Sequence, residues 1–158
     1  MGRYAGDLMA SMDAVLLGRV TYQIMAGAWP NFTEDQSPGV DKMNSIPKFV
    51  LSRTLEKAPW GNYEPATIIN EDVVRKVREL KEKQGKNIVI YGSANTVQSL
   101  TRMGLIDEYQ LLVHPIFLGD GKALFRQMER PVNLKLARAQ TYRNGVSVLY
   151  YEPVSSGA

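Results

Sequence analysis

The sequence predicts an α/β domain with a mainly parallel central sheet and a C-terminal antiparallel hairpin. Three observations carry this. Short apolar runs at Asp13–Leu17, Lys48–Ser52 and Ile88–Gly92 alternate with stretches whose apolar residues recur at helical spacing. Two of the runs stop at a glycine and the third at Ser52-Arg53, followed directly or after a loop by a helix start. Two long strands, Val132–Tyr142 and Val146–Glu152, flank Arg143-Asn144-Gly145, a strong hairpin signal. Strands that alternate with helices imply parallel pairing through right-handed crossovers, and the hairpin adds an antiparallel edge.

Taken in order, Tyr4, Ala5, Leu8, Met9 and Met12 form an i, i+4 stripe, so residues 2–12 are expected as an amphipathic helix. The strand Asp13–Leu17 stops at Gly18, and Arg19–Ala26 is a second helix with Val20, Ile24 and Met25 inward. Gly27–Pro47 reads as a long polar loop carrying Trp29, Pro30 and Phe32. In Lys48–Ser52 three apolar residues follow one another, as expected of a strand covered on both faces. The loop Lys57–Pro65 precedes a short strand, Ala66–Ile69. Asn70 is the expected cap of a helix with Glu71 and Asp72 in its first turn, Val73, Val74, Val77 and Leu80 on its buried stripe, and Gln84-Gly85 at its end. Ile88–Gly92 then leads into a helix ending at Met103 and a strand at Ile106–Pro115. The whole reads as one domain over 1–154 with a frayed tail at 155–158.

With 158 residues, 44% hydrophobic and 22% charged, the chain is long enough to bury roughly two thirds of its unfolded surface. It has no cysteine and one histidine, which excludes a disulfide framework, a cysteine zinc site and thiol catalysis. No metal is expected. No apolar run approaches a membrane span, and the first residues show no basic-then-apolar leader, so a cytoplasmic protein without a membrane partner is expected. A net charge of +3 with scattered lysines favours small anionic ligands and argues against nucleic acid.

Three corners could carry chemistry. Gly18-Arg19-Val20-Thr21 joins close backbone approach, a guanidinium fork and a hydroxyl at a helix start. Ser52-Arg53 repeats hydroxyl and guanidinium at the next strand end, and Gly92-Ser93-Ala94-Asn95 is a small-residue helix start. Each has a plain structural explanation as a glycine turn, a polar strand end or a serine cap. Together they lie at the C-terminal ends of presumed parallel strands, the edge where ligands bind in open α/β sheets, and three phosphate-accepting corners suit a dinucleotide. There is no Gly-x-Gly-x-x-Gly and no Gly-x-x-x-x-Gly-Lys, so ordinary dinucleotide and nucleotide-loop motifs are absent.

The order Gly-Arg-x-Thr-Tyr (18–22), Pro-Lys-Phe-Val-Leu-Ser-Arg-Thr-Leu (47–55), Tyr-Gly-Ser-Ala-Asn (91–95), Gly-Leu-Ile-Asp-Glu-Tyr (104–109) and His-Pro-Ile-Phe-Leu-Gly-Asp-Gly (114–121) resembles the dihydrofolate reductase-like family. Its riboflavin-biosynthesis reductase C-terminal domain branch is the most similar, and the resemblance covers nearly the whole chain. It implies a three-layer fold and a reductase that transfers hydride from NADPH to a small heterocyclic substrate. Pterin or folate-like compounds and a pyrimidine riboflavin precursor are the implied substrates. By the same resemblance Arg19, Thr21, Ser52 and Arg53 would hold the 2′-phosphate side, with Gly18 at the same turn, and Gly92, Ser93, Ala94 and Asn95 the pyrophosphate. Gly27–Pro47 would border the substrate cleft, with Trp29 and Phe32 stacking on a planar ring or anchoring the loop on the core. His114 is expected to be structural.

The resemblance also exposes a gap. Family members open with an inner strand and an active-site loop, whereas this sequence begins in the next helix at Gly2-Arg3-Tyr4. An open slot would unpair buried backbone groups between the strands at 87–91 and 106–114. A preceding strand, direct closure of the two neighbours, or a partner strand is therefore expected, with impaired activity in the chain alone. No catalytic residue is assigned, and Asp13 and Glu34 receive no role. The alternative reading is an NADPH-binding protein without turnover. The apolar residues of Val132–Glu152 predict an exposed edge strand and hence a homodimer.

Overall fold

Met12–Gly18 organises the molecule, because its apolar run is covered on both faces and paired on both edges. A computed structural model describes residues 2–83, 85–126 and 128–154. The tail expected at 155–158, and Gln84 at the end of the lysine-rich helix, lie outside the described residues. Strand β1 (Met12–Gly18) pairs in parallel with β2 (Lys48–Leu51) on one edge and β4 (Asn87–Ile90) on the other. β3 (Thr67–Ile69) extends the sheet beyond β2, also in parallel. Among the described residues five α-helices accompany it: α1 (Gly2–Ser11), α2 (Arg19–Ala28), α3 (Val40–Ser45), α4 (Val73–Glu82) and α5 (Ala94–Arg102).

Alternation along β1 builds two cores. Val15 and Leu17 pack with Tyr22 of α2, Met43 of α3 and Trp60, whereas Leu16 packs with Ile69, Val77, Leu100 and Leu105. Side chains on a strand point alternately to its two faces, so one strand seeds a layer on either side. A second sheet holds β5 (Tyr109–Val113), β6 (Leu134–Thr141) and β7 (Ser147–Pro153) in the order β5-β7-β6, all antiparallel. The architecture is thus the expected α/β one, with the parallel and antiparallel parts as two separate sheets.

Several local expectations are corrected. The polar loop 27–47 contains a 3-10 turn, Trp29–Asn31, and helix α3. The Glu34 carboxylate accepts the Gly39 and Asp41 N–H groups at 2.6 and 3.0 Å, closing the start of α3 from outside it. A six-residue helix is too short to display a 3.6-residue period. At α4 the N-cap position belongs to Asp72 rather than Asn70, and Asp72 pairs with Arg75 at 3.2 Å. The strand expected as an exposed apolar edge, β7, is the centre of its sheet, with its Val148 and Tyr150, and Val146 just before it, buried. The outer strand is β6, which exposes Lys135 and Arg138, and Arg138 stacks over the Tyr150 ring.

β4 and β5 do not pair with each other. Direct closure of the expected gap has not occurred. Helices hold the two sheets together instead: Tyr4 of α1 donates to Gln110 of β5 at 2.6 Å, and Thr101 of α5 shares a hydrogen bond with the Tyr109 hydroxyl at 2.7 Å.

Candidate functional site

The parallel strands end along one edge of the sheet, and there β1 and β4 are stitched together. The Gly18 N–H donates to the Gly92 carbonyl at 3.2 Å. Helix α2 starts directly after Gly18 and α5 directly after Ser93, both caps being extended. Neither helix start is closed by a side-chain hydrogen bond, so its first-turn N–H groups are left for water or a ligand. Sequence reasoning offered Ser93 as a simple helix cap, and its hydroxyl does not serve as one.

The corner is tight. A methyl group added to Gly18 would overlap the Thr96 hydroxyl, and one on Gly92 would come 3.3 Å from Thr21 Oγ1. Gly92 also has φ +135°, a conformation that side chains disfavour. Gly18, Thr21, Gly92 and Ser93 therefore meet at the shared strand-end edge, joined by buried Thr96, which the sequence reading missed. Ala94 and Asn95 form the first residues of α5. Arg19 opens α2, exposed, with its guanidinium 3.4 Å from Gln23 Oε1.

Ser52 and Arg53 lie one strand further along. The Ser52 hydroxyl accepts the Thr54 and Leu55 N–H groups at 3.2 and 3.1 Å, so it shapes its own turn. Arg53 lines an open depression of about 680 Å³ with Asn70, Arg75 and Arg78. Arg75 is engaged by Asp72 and by Glu79 at 3.0 Å, whereas Arg53 and Arg78 form no ion pair among the described residues. Glu71, Asp72, Glu79 and Glu82 line the same depression, so it is a surface of mixed charge, and it includes residues of α4 no motif had marked.

Trp29 is half-buried against the core, and its carbonyl accepts the Asn44 side-chain amide at 3.3 Å. It anchors its loop. Phe32, two residues past the turn's proline, is 43% exposed. The carboxylates without an assigned role both have structural ones. Asp13 accepts the Lys86 N–H, and Glu34 is held below the usual carboxylate range by the backbone N–H groups it receives. His114 is exposed just after β5, and its carbonyl accepts the Ile116 N–H at 2.8 Å. Among the described residues no group of His, Asp and Glu could hold a metal ion, and no helix is long and apolar enough to cross a membrane.

Two sheets flanked by helices, with a glycine-lined corner at the parallel strand ends, define an α/β protein of dihydrofolate reductase-like architecture. Dihydrofolate reductase from Enterococcus faecalis, solved with NADP(H) and RAB-propyl, superposes with a TM-score of 0.60 over 98% of this chain and 82% of its own, at 13% identity. A putative riboflavin biosynthesis protein from Shewanella sp. PV-4 gives a TM-score of 0.73 at 23% identity, covering 94% of this chain and 78% of its own. In sequence, the Bacillus subtilis (strain 168) protein called Uncharacterized protein YyaP is 31% identical over 150 residues, 92% of this chain and 76% of the relative. The family model for the RibD C-terminal domain matches residues 1–148. The chain belongs to the RibD C-terminal domain family, a family of reductases.

Proposed function

We propose that this chain binds NADPH along the β1–β4 corner and reduces a small heterocyclic substrate of the pterin or pyrimidine riboflavin-precursor type. The observation that carries this is the convergence of two uncapped helix starts on the Gly18–Gly92 hydrogen bond. Such N–H groups, at the positive ends of two helix dipoles, favour a diphosphate. The Ser93 and Thr21 hydroxyls and the amides of Ala94 and Asn95 would complete that subsite. Arg19 and Arg53, with Arg78 beside Arg53, would receive the 2′-phosphate. When bound, NADPH supplies the hydride, and the protein contributes position and shielding from water. Exposed Phe32 is the residue suited to stack on a planar substrate, with Trp29 fixing the loop that carries it. The protein would act in the cytoplasm and as a homodimer.

NADPH and NADH titrations followed by the intrinsic fluorescence of Trp29 and Trp60 test the cofactor reading. A charge-assisted hydrogen bond is worth roughly 1.5–3 kcal/mol, so Arg53→Ala should weaken NADPH about tenfold or more and leave NADH unchanged. Equal affinity for both cofactors, insensitive to Arg53→Ala, would refute it. A second reading, binding without turnover, is favoured by the unpaired β4 and β5 edges. NADPH binding with no loss of reduced-nicotinamide absorbance on any pterin or aminopyrimidine substrate would establish it.

A further inference from the structure

We propose that Lys48 is a positioning residue: through Asn44 and Trp60 it holds the turn Trp29–Asn31 in one place and so sets where Phe32 is presented. That Phe32 meets a planar substrate rests on the function proposed above; that Lys48 holds it does not.

The relay begins at the end of α3. The carbonyls of Met43 and Asn44 lie in its last turn and that of Ile46 just past it, where a helix leaves carbonyls without intrahelical partners. Lys48 Nζ donates to all three, at 2.8, 3.0 and 2.7 Å. An ammonium has three protons and no lone pair, so three donors meet three acceptors. Burial pushes its pKa down to about 8, which leaves it charged at neutral pH. The Trp60 ring closes a further side, its centroid 4.8 Å from Nζ. An apolar side chain of similar length would fill the space and leave three carbonyls unserved.

Asn44 passes the position on. Its amide is used at both ends: Oδ1 accepts the Trp60 indole N–H at 2.6 Å, and Nδ2 donates to the Trp29 carbonyl at 3.3 Å. The same carbonyl accepts the Phe32 N–H at 3.2 Å. Phe32 is thus one shared carbonyl away from the Asn44 side chain. On its other side the Thr33 N–H donates to Gln36 Oε1 at 2.9 Å, and Glu34 closes the start of α3. Pro30, in the middle of the turn, lies against Gly61, where a methyl group would come 2.5 Å from the proline Cβ. The residue after Trp60 therefore clamps the same turn a second time.

Lys48, Asn44 and Trp60 are all buried, beside a core that includes Met43 and Val50. Apolar side chains of the right volume can repack in more than one way, whereas a fully satisfied polar network is met by one arrangement. The network costs desolvation of an ammonium, and what it provides is a single position for the turn.

Fluorine NMR of the protein labelled with fluorophenylalanine tests this, because the chain has only four phenylalanines, at 32, 49, 117 and 125. The urea-unfolded protein marks the position of an unrestrained ring, and Phe32→Leu assigns the Phe32 resonance. Lys48→Met should move that resonance most of the way to the unfolded position. Asn44→Ala, which keeps its own carbonyl for Lys48, should do the same, and it carries the test if Lys48→Met does not fold. Val50→Ala opens a cavity in the same core without touching these bonds, so it should lower stability toward urea and leave Phe32 in place. A Phe32 resonance that stays put in the relay variants, that Val50→Ala moves equally, or that already sits at the unfolded position in the wild type overturns the proposal. Titration with pterin at saturating NADPH separates the relay from the function. Lys48→Met and Phe32→Leu should each weaken pterin about tenfold, and the double variant no further. Pterin affinity lowered by Phe32→Leu and untouched by Lys48→Met also overturns the proposal. A wild type that binds no pterin, with the resonance shifts as expected, removes Phe32 from the substrate and leaves Lys48 as its holder.

Discussion

β1 and β4 are neighbours in one sheet, yet they live under different constraints. β1 is paired on both edges, and Val15, Leu16 and Leu17 are essentially inaccessible. β4 is paired on one edge, and Ile88, Val89 and Ile90 are only half-buried although the sequence is as apolar. The difference shows that an apolar strand becomes a core strand only when something covers both its faces and its edges. The closed side of the molecule, from β3 to β1, should carry its stability. The open side, from β4 through the second sheet, should carry its capacity for association.

The largest test of that contrast is a pair of truncations. Leu16→Ala removes a fully buried side chain from the closed side and should cost about 2–5 kcal/mol in urea unfolding. Ile90→Ala, half-buried beside the slot, should cost clearly less, because its site can already relax toward open space. Equal losses would mean that the two strands are equally closed in solution.

The next test concerns Gly18, where the closed side meets the proposed cofactor corner. Its φ of −76° is open to any residue, so only the Thr96 overlap should penalise Gly18→Ala. Overpacking of this kind costs about 1–3 kcal/mol. Combining it with Thr96→Ala should recover most of the loss, and NADPH affinity should follow the repacking. A double variant no more stable than Gly18→Ala alone would place the penalty elsewhere.

Much of this was legible in the sequence, and the exceptions share a cause. β1 and the hairpin were readable because a run of apolar residues, or Asn-Gly between alternating strands, is a local signal. That Gly18 and Gly92 share one edge was readable because parallel crossovers bring strand C-termini together, whereas their direct hydrogen bond was not. Lys48 was not. In sequence it is a charge at the start of a strand; in the fold it is 3% exposed. Its Nζ donates to the carbonyls of Met43, Asn44 and Ile46 at 2.8, 3.0 and 2.7 Å and lies 4.8 Å above the Trp60 ring. Trp60 was read as part of a loop, yet it is fully buried and donates to Asn44 at 2.6 Å. Lys48 depends on backbone carbonyls at the C-terminal end of α3 and Trp60 on the Asn44 side chain of the same helix, which has no periodic signature, so the information sits in a tertiary arrangement. Ser52 and Ser93 show the same limit at the site: each was an equally good cap or ligand in sequence, and only geometry separates the one that closes its own turn from the one that does not.

Lys48 provides a pH-dependent test within the closed side. Burial pushes its pKa down from 10.5 to about 8, against the three carbonyls that favour the ammonium form. At pH 7 it is therefore charged in both states, and the cost of burying the charge is present in full. Between about 8 and 10.5 the unfolded chain binds more protons than the folded one, so this group makes stability rise with pH. Tyr4, pushed up to about 12 mainly by burial, acts oppositely above its ordinary value of 10.0, where the folded state holds the extra proton. The stability of the wild type relative to Lys48→Met should thus climb from pH 8 toward 10. A flat difference would show that Lys48 titrates normally.

The smallest effect on folding, and the sharpest on association, is expected at the far end of the open side. Val113 ends β5, and Ile116, Phe117 and Leu118 follow it as exposed apolar residues, with Phe117 fully accessible at 105%. These residues, rather than β7, now support the proposed homodimer, since soluble proteins seldom leave contiguous apolar residues bare. Phe117 touches so little of its own fold that Phe117→Asp should change unfolding stability by no more than about 0.5 kcal/mol. In light scattering Phe117→Asp should nevertheless convert a dimer into a species near 17.7 kDa. A wild-type mass already near 17.7 kDa at micromolar concentration would remove the dimer. A dimer that survives Phe117→Asp would move its interface elsewhere, and the unpaired edges of β4 and β5 would then be the surface to examine, because a second copy seated there would also protect their amides.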